Sequence, residues 1–413
     1  MDFHIQNFGA VGDGKTLNTS AIQSAIDACA EVGGGRVIVS GGSYMTGTII
    51  LKSNVDLHIE ADGVLYGSPN CDDYPEFAKK HMDYTRGPRH RGAAMIFAEE
   101  CENISITGKG KIDGHGDAFI EKIPDGTKSW MPYRRINAPT PPRVVLFTGC
   151  QNILVENVTI TNQPAGWSYW IHDCDHVNFS RVKIIANLDY PNNDGIHVNC
   201  SRNVTISDSI ISCGDDCIIV RANSRSLKEN KVCEKVTVTN CTLTSHSSGI
   251  RIGWVNDGTI RNCTFSNIVM TDTTVGIGIL LPPKKWASTG DYGCEKTLIE
   301  NLSFSNIVMD RNYSPPIYIH LYDDEETECE GIRDLYFDNI HSCGLELPYI
   351  CGRKSTPIKN IYFTNCTFKE LNREIYDDGK PHGGVKCRDK DPHAIIFSNT
   401  ENIVLNNTSF TTQ

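Results

Sequence analysis

The sequence has no long apolar run. Its 413 residues hold no stretch of the roughly 20 consecutive apolar residues that a membrane-spanning helix needs. The start, MDFHIQNFGAVGDG, has neither the basic segment nor the apolar core of a signal peptide. We therefore expect no membrane partner and a cytoplasmic protein, or a secreted one if a signal has been removed.

An excess of positive charge is also missing. The net charge is −11 and the isoelectric point is near 5.6. Because proteins bind nucleic acids through cationic surfaces, this composition argues against a nucleic-acid partner. It leaves an anionic substrate open, since a local basic pocket can lie on an acidic body.

Closely paired cysteine motifs are absent, although the chain has 17 cysteines. No Cys-x-x-Cys occurs, which argues against zinc sites and thioredoxin-like chemistry, so we expect no metal and no cofactor. Four cysteines follow an asparagine in strand-like segments: Cys200, Cys241, Cys263 and Cys366. We interpret most cysteines as buried thiols that pack as small apolar residues in a reducing compartment.

Helical patterning is confined to one segment. Asn18 or Thr19 can cap a helix, and apolar residues then recur at helical spacing up to the glycines that begin at Gly33. This predicts a short N-terminal capping helix over residues 18–32. Elsewhere the chain alternates like strands, except over 70–95 and 115–142. Those polar, weakly periodic segments are interpreted as long loops that shape a cleft.

Short strand units recur along the rest of the chain, with starts roughly 22 to 50 residues apart. Examples are NILVENVTITN (152–162), NVTISDSIISC (203–213) and KVTVTNCTLTS (235–245). No helix separates successive units, which excludes leucine-rich repeats and alternating β–α folds. A propeller blade needs four strands, more than about 22 residues supply. The pattern therefore predicts an all-β fold, a single parallel β-helix domain over 1–413 with about ten coils. Asparagines at equivalent bends are expected to stack as a ladder inside the coil.

Three acids lie where this pattern turns from a bend into a strand. Asp194 stands in Asn-Asn-Asp-Gly, and Asp215 and Asp216 stand in Gly-Asp-Asp-Cys. Asp194 and Asp215 each precede a strand, so we expect them at matching places on consecutive coils. Adjacent carboxylates raise one another's pKa, which suits a general acid beside a carboxylate base. A solvated turn is the alternative. Carboxylates one or two coils apart can reach the separation of about 6.5–9.5 Å that inverting glycosidases use.

The next coil adds two candidates. His246 again precedes a strand, so we expect it in register with the three acids. Arg251 follows five residues later and is a candidate ligand for an oxygen-rich substrate, or else an outward-facing solvated arginine.

Taken together, these segments resemble glycoside hydrolase family 28, the polygalacturonase family. The resemblance rests on FGAVGDGKTLNTSAIQSAIDAC, GKGKIDGHG, the Asn-Asn-Asp element, GDDC and the His246 coil. It implies a right-handed parallel β-helix that hydrolyses pectin backbones with inversion. Asp215 then resembles the general acid, and Asp194 and Asp216 the carboxylates that activate water. His246 resembles the histidine that tunes the acid, and Asn192 the asparagine of the family's Asn-x-Asp.

One departure affects the substrate. The family's polygalacturonases carry Arg-Ile-Lys one coil after the histidine, where the two cations hold a galacturonate carboxylate. The matching segment here is Gly278-Ile279-Leu280, which has no charge. Arg251 or the neighbouring Lys284 and Lys285 can substitute, or the bound sugar is neutral or differently linked, as in the rhamnogalacturonan branch. Tyr322 fits the family's tyrosine, and Trp254 is our candidate sugar-stacking platform.

The sequence thus predicts an inverting glycoside hydrolase with a pectic oligosaccharide or polysaccharide as its partner. An exo-acting enzyme is favoured, with the two long loops closing one end of the cleft. Two alternatives stay open. One is a β-eliminating enzyme like pectate lyase, which would need a calcium-binding acid cluster and an arginine base. The other is a non-catalytic carbohydrate-binding β-helix. Oligomeric state is not predicted.

Overall fold

The fold is a stack of parallel-stranded coils. The computed structural model describes residues 1–75, 81, 93–125, 131–136, 143–163, 166–283, 296–323, 327–376 and 397–412. Within these residues every strand of the two large sheets pairs in parallel with strands of the coils above and below it. The coil is right-handed, as nearly all crossovers between parallel strands of one sheet are. The predicted parallel β-helix is confirmed.

Within the described residues one sheet has 11 strands, and it carries the residues of interest. Its strands, in the order in which they stack, are Ile49–Ile50, Ala94–Glu99, Arg143–Thr148, Tyr169–His172, Ile196–Asn199, Ile218–Arg221, Ser248–Ile252, Val275–Leu281, Ile317–Leu321, Tyr349–Cys351 and Phe397–Ser398. Eleven strands agree with the prediction of about ten coils. We call this sheet the site sheet.

The other large sheet has 22 strands in the described part of the chain, because most coils contribute two short strands or one long bent strand. Its strands are Asp2–His4, Asp13–Leu17, Gly35–Val39, Gly42–Thr46, Val55–Ile59, Gly63–Gly67, Glu102–Gly108, Lys111–Asp113, Gln151–Glu156, Thr159–Thr161, Asp175–Ser180, Lys183–Ile185, Arg202–Ser207, Ile210–Cys213, Cys233–Ser245, Thr259–Thr271, Thr297–Asn312, Cys329–Gly344, Ile358–Thr364, Thr367–Glu370, Thr400–Asn406 and Ser409–Thr412.

The core lies inside the coils and is built from the apolar half of each alternating strand. At equivalent positions of consecutive coils, side chains of the same type stack on one another. Phe265, Phe304, Phe337 and Phe363 form one such row, with ring centroids 5.0, 5.1 and 4.7 Å apart. Of the described cysteines, ten are buried as free thiols, and Cys200, Cys241, Cys263 and Cys366 are among them, which confirms that interpretation for these positions.

Asparagine ladders are present, but on the outside of the coils. Asn54, Asn103 and Asn152 are one ladder, joined by side-chain amide hydrogen bonds of 2.9 and 2.6 Å, and all three have positive φ. The prediction of internal ladders is therefore wrong. Asparagine tolerates the left-handed backbone that a tight outward bend requires, and its amide then points along the stack in solvent.

The N-terminal helix spans Thr19–Glu31, within the predicted 18–32, and buries Ile22, Ala25, Ile26 and Cys29. Asn18 stands at its N-cap position, yet its side chain bonds to the backbone of Val11 and Thr16 instead of capping the helix. A second helix, Arg373–Tyr376, was not predicted because one turn has no visible periodicity. No helix in the described part of the chain is long and apolar enough to cross a membrane.

The predicted loop 115–142 is only partly irregular. Its described residues form a 3-10 turn, Gly116–Phe119, and an antiparallel hairpin of Ile120–Lys122 with Tyr133–Arg135. Strands of three residues are too short for alternation to reveal them. In the predicted loop 70–95 the structure describes another 3-10 turn, Cys71–Asp73, and the start of strand Ala94–Glu99. Residues 76–80, 82–92, 126–130 and 137–142 lie outside the described residues.

Candidate active site

The three acids lie where the chain enters the site sheet on two consecutive coils. Ile196 pairs with Ile218 and Ile218 with Ile250. Counting back two residues puts Asp194, Asp216 and Ser248 at the same place on successive coils. The expected match of Asp215 to Asp194 is therefore wrong by one residue, and that of His246 by two. Bends of different length precede these strands, so sequence spacing could not fix the register.

One carboxylate oxygen of each acid lies within 4.8 Å of an oxygen of the other two. Asp194 and Asp216 are 4% and 1% exposed, while Asp215 is partly exposed. These closest oxygens are nearer to one another than the expected separation of about 6.5–9.5 Å, because consecutive coils stack at a strand spacing of about 4.8 Å. Such a cluster could hold a cation by geometry alone, but Arg251 already supplies positive charge to it.

Asp216 is saturated with donors. Arg251 Nη1 donates to its Oδ2 at 2.6 Å, and Ser247 Oγ and the Ser248 amide donate to its Oδ1 at 2.7 and 3.1 Å. Burial acts to raise the pKa of Asp216, but the charge of Arg251 and these hydrogen bonds outweigh it and leave that pKa lowered. Asp216 is therefore a fixed negative charge.

Asp215 has the opposite character. Burial and the charges of Asp194 and Asp216 raise its pKa well above the usual range. Its Oδ2 accepts a hydrogen bond from Asn192 Nδ2 at 3.2 Å, and its backbone oxygen accepts one from Ser245 Oγ at 2.6 Å. A partly exposed carboxyl that retains its proton can donate it to a bound molecule.

Asp194 is buried and has one oxygen without a described partner. Its Oδ2 lies 2.8 Å from His197 Nε2, while its Oδ1 is buried without a hydrogen-bond partner among the described residues. Burial, followed by the charge of Asp216, raises the pKa of Asp194. Burial lowers the pKa of His197, which favours the neutral imidazole. In the tautomer with its proton on Nε2, that nitrogen donates to Asp194 Oδ2.

The candidate ligand residues lie at different distances from the acids along the stack of coils. The Arg251 guanidinium lies 3.9 Å from the ring centroid of Trp254, so these two candidates meet beside Asp216. Arg251 is therefore held by Asp216 and Trp254 and is not a solvated, outward-facing arginine. Tyr322 follows the strand two coils beyond the Arg251 strand; its hydroxyl lies 3.1 Å from Tyr318 OH, and its ring stacks on His320.

The remaining two candidates are His246 and Lys284. His246 Nδ1 lies 3.8 Å from Asp189 Oδ1, and Ser248 holds the position in register that was expected for the histidine. Lys284, with Lys285, lies outside the described residues. The site nevertheless brings together six predicted residues: Asp194, Asp215, Asp216, Asn192, Arg251 and Trp254.

Arg135 was missed as a site residue. It ends the hairpin strand Tyr133–Arg135, and its Nη2 donates to Asn192 Oδ1. Burial lowers the pKa of Arg135, and the charges of Asp194 and Asp215 act against that shift, so the guanidinium lies within reach of both acids electrostatically. Its sequence signal was weak, since it lies 57 residues from Asn192 in a segment without periodicity.

His197 was also missed. It alternates with the inward residues Ile196 and Val198 in a strand that is buried on both faces. A signal existed: a polar residue three positions after a candidate catalytic acid, in an otherwise apolar strand. The face of the ring is covered by Trp167, whose centroid lies 3.7 Å away at an interplanar angle of 13°.

The chain matches known proteins over most of its length. The family model of glycosyl hydrolases family 28 matches residues 76–233 and 223–367. A probable polygalacturonase from Vitis vinifera is 27% identical over 70% of this chain, and the match spans 62% of that protein's length. An exopolygalacturonase from Arabidopsis thaliana is 24% identical over 96% of this chain and 85% of its own.

The fold has solved counterparts as well. The crystal structure of an exopolygalacturonase from Thermotoga maritima superposes with a TM-score of 0.73 at 24% identity, covering 90% of this chain and 87% of its own. At that identity the likeness shows the shared β-helix and no more. The family model spans well over half of the sequence, and the acids Asp194, Asp215 and Asp216 lie within it. The chain belongs to glycosyl hydrolases family 28.

Proposed function

We propose that the chain hydrolyses glycosidic bonds in pectin-derived chains, of the galacturonan or rhamnogalacturonan type, with Asp215 as the general acid. The observation that carries this proposal is the division of roles among the three acids. Asp216 is held ionised by Arg251, whereas the pKa of Asp215 is raised. Acid and base chemistry at one site needs carboxyl groups whose pKa values are driven apart in this way.

The reaction then runs in one displacement. Asp215 gives its proton to the glycosidic oxygen as the bond to the anomeric carbon breaks. A water molecule attacks that carbon from the opposite face and loses a proton to a carboxylate, Asp194 or Asp216. The fixed charge of Asp216 also stabilises the positive charge that develops on the sugar ring. The products are a free reducing end and a shortened chain with a new hydroxyl group.

Exo-action is the second part of the proposal. The name of the relative from Arabidopsis thaliana supports it, since that protein is an exopolygalacturonase. The hairpin Ile120–Lys122 and Tyr133–Arg135 supports it structurally, because it reaches from the body to Asn192 at the acids. An element that covers one side of the site limits how far a polymer can extend past it.

The proposal leaves two sugars for this site, a galacturonate or a neutral rhamnose. Gly278 pairs with Arg251 on the preceding coil and with Tyr318 on the following one, so this coil has a glycine where its neighbour carries a cation. A galacturonate would then have to be held by Arg135, by Arg251 or from outside the described residues. A neutral rhamnose at this place would need no such cation.

Product analysis tests the whole proposal. The enzyme is incubated with oligomers of galacturonic acid and of rhamnogalacturonan, with and without a chelator, and the products are identified by mass spectrometry and by the anomer first formed. We expect monomer or dimer release from one end, inversion, no rise in ultraviolet absorbance and no effect of the chelator. Unsaturated, chelator-sensitive products would indicate a lyase, and no product from any pectic oligomer would refute the substrate class.

A further inference from the structure

His197 is bonded to one catalytic carboxylate and to neither of the others in any described contact. Its Nε2 lies 2.8 Å from Asp194 Oδ2, and the two residues are 5% and 4% exposed. A hydrogen bond to a carboxylate in so dry a place is strong, because little water competes for either partner. This bond therefore fixes the rotation of the Asp194 carboxylate.

The carboxylate oxygens of Asp194 and Asp216 differ in whether they can accept a further hydrogen bond. Both oxygens of Asp216 are used, one by Arg251 and the other by Ser247 and Ser248. Asp194 Oδ1 is buried and has no hydrogen-bond partner in the described part of the chain. A buried carboxylate oxygen without a donor destabilises the folded protein. At an active site such an oxygen can accept a hydrogen bond from a bound ligand.

The histidine is itself held from behind. Trp167 stacks on its ring at 3.7 Å, and the Arg143 guanidinium lies 4.4 Å from the centroid of Trp167 and 4.1 Å from that of Trp170. Trp170 pairs with His197 in the site sheet. This stack restrains the plane of the imidazole, and in that plane Nε2 faces Asp194.

We propose that His197 is a positioning residue: its neutral Nε2–H holds Asp194 Oδ2, so that Asp194 Oδ1 is the atom that takes the proton from the attacking water. Asp216 then acts as a fixed charge and not as the base. In the hydrolysis step the water O–H bond breaks toward Asp194 Oδ1 and its oxygen bonds to the anomeric carbon. The proton of Asp215 leaves with the glycosidic oxygen. This inference rests on the hydrolytic function proposed above.

Six further charged or titratable groups act on the His197–Asp194 pair. These are Asp215, Asp216, Arg135, Arg143, Arg221 and Arg251. All of them remain in a His197 variant, so a change in the titration of Asp194 reports the lost hydrogen bond. Loss of a donor to the charged form raises a carboxyl pKa.

The test compares His197→Leu with His197→Gln, which can return an N–H near the same place. His172→Leu is the matched control. His172 is also a buried neutral histidine on the neighbouring coil, but it bonds Ser226 and Asn199 and no carboxylate in the described contacts. We expect His197→Leu to lower kcat about 10–100-fold, the range for a hydrogen bond to a charged group, with KM changed far less. The acidic limb of kcat should move to higher pH.

In His197→Gln most of kcat should return, and in His172→Leu the acidic limb should stay in place even if the protein is less stable. A purely structural role for His197 predicts the same loss in both leucine variants, with no movement of the limb; that result would overturn the proposal. The ¹³C titration of the Asp194 carboxyl, identified in Asp194→Asn, gives a readout without substrate. It should shift upward in His197→Leu, and a wild-type enzyme inactive on every pectic oligomer would then refute only the proposed function.

If His197→Leu does not fold, wild-type enzyme decides. Its ¹⁵N-labelled His197 should remain a neutral Nε2–H tautomer between about pH 5 and 8, whereas an exposed histidine titrates near pH 6.5. Protonation of His197 in that range, or a proton on Nδ1 in place of Nε2, would overturn the assignment.

Discussion

Arg251 Nη1 donates to Asp216 Oδ2 across 2.6 Å, and both side chains are largely buried. The arginine that the sequence offered as a sugar ligand is therefore the ion-pair partner of Asp216, one of the three candidate catalytic acids. Its stacking on Trp254 at 3.9 Å holds the guanidinium in that place. One cation thus lowers the pKa of Asp216, whereas burial and neighbouring charges raise the pKa values of Asp194 and Asp215.

Arg251→Ala should cost both stability and turnover. Removing one partner of a buried ion pair destabilises a protein by about 3–5 kcal/mol, since the other charge stays buried. We expect the free energy of unfolding to fall by this amount and kcat of the folded enzyme to fall about 100-fold or more. Arg221→Ala is the control, because Arg221 makes an equally short buried pair with Asp257, at 2.6 Å. Equal kcat losses in both variants would contradict the role of Arg251.

The pH profile of kcat/KM should be bell-shaped. Activity needs Asp194 ionised and Asp215 protonated, and burial raises the pKa of each. Activity is therefore lost as pH falls through the raised pKa of the base and again as pH rises through the raised pKa of the acid. Because the two groups are coupled, the limbs belong to the pair. Both limbs should lie above about pH 3.9, the value of an ordinary aspartate. An optimum below that pH would contradict the assignment.

Asp215→Asn should remove activity and stabilise the fold. A carboxyl whose pKa is raised on folding adds stability below its unfolded pKa, and this contribution is lost as pH rises through the folded pKa. At neutral pH the charge of Asp215 is thus unfavourable. We expect Tm to rise by roughly 1–3 °C at pH 7, given that about 1 kcal/mol moves Tm by a few degrees, and the gain to vanish near pH 4. Asp257→Asn is the control and should lower Tm, since it strands the buried Arg221. Near-normal turnover in Asp215→Asn would refute the general acid.

The sequence was enough to predict the coil and its acids, because both are short-range patterns. Alternation identifies inward residues, and Gly-Asp-Asp-Cys and Asn-Asn-Asp-Gly stand out at the bends. Register was not predictable to one residue: Ser248, and not His246, follows Asp194 and Asp216 in the stack. Bend length sets that offset, and bend length depends on backbone conformations such as the positive φ of Asn192.

The missing site residues depend on contacts that sequence spacing does not encode. Arg135 reaches Asn192 from a hairpin 57 residues away. His197 lies in a strand whose apolar pattern conceals it, and its role appears only once Trp167 and Asp194 enclose it. Long-range packing decides both cases, so a sequence alone gives the type of chemistry before it gives the full site.

Arg135→Ala should lower the rate of catalysis more than the stability of the fold. Arg135 orients Asn192, which donates to Asp215 Oδ2 at 3.2 Å, and its charge lies near Asp194 and Asp215. We expect kcat to fall about 10–100-fold, the loss for hydrogen bonds to charged groups. Arg134→Ala is the matched control. Arg134 is the neighbour on the same hairpin and makes an exposed pair with Glu121, which is worth about 0–1 kcal/mol. Similar kinetics for the two variants would show that Arg135 has no specific role.

Gly278 is the place at which the sugar can be tested by adding a charge. It lies between Arg251 and Tyr318 in the register of the site sheet. A Cβ built there would meet described atoms no closer than 3.7 Å, which is ordinary contact, and its φ is not in the left-handed region. A larger side chain is therefore tolerated at the backbone without strain.

Gly278→Arg should lower KM for galacturonate oligomers if a uronic acid binds on this coil, because the guanidinium pairs with a carboxylate in a bidentate fashion. A gain of about tenfold is expected, with oligomers whose terminal sugar is neutral gaining nothing. Gly278→Gln is the control for bulk, since it adds a polar side chain without charge. Equal effects of arginine and glutamine on both substrates would mean that Gly278 does not face the sugar. If galacturonate binding weakens in Gly278→Arg alone, the coil accepts a neutral sugar, and the added cation is simply buried without a partner.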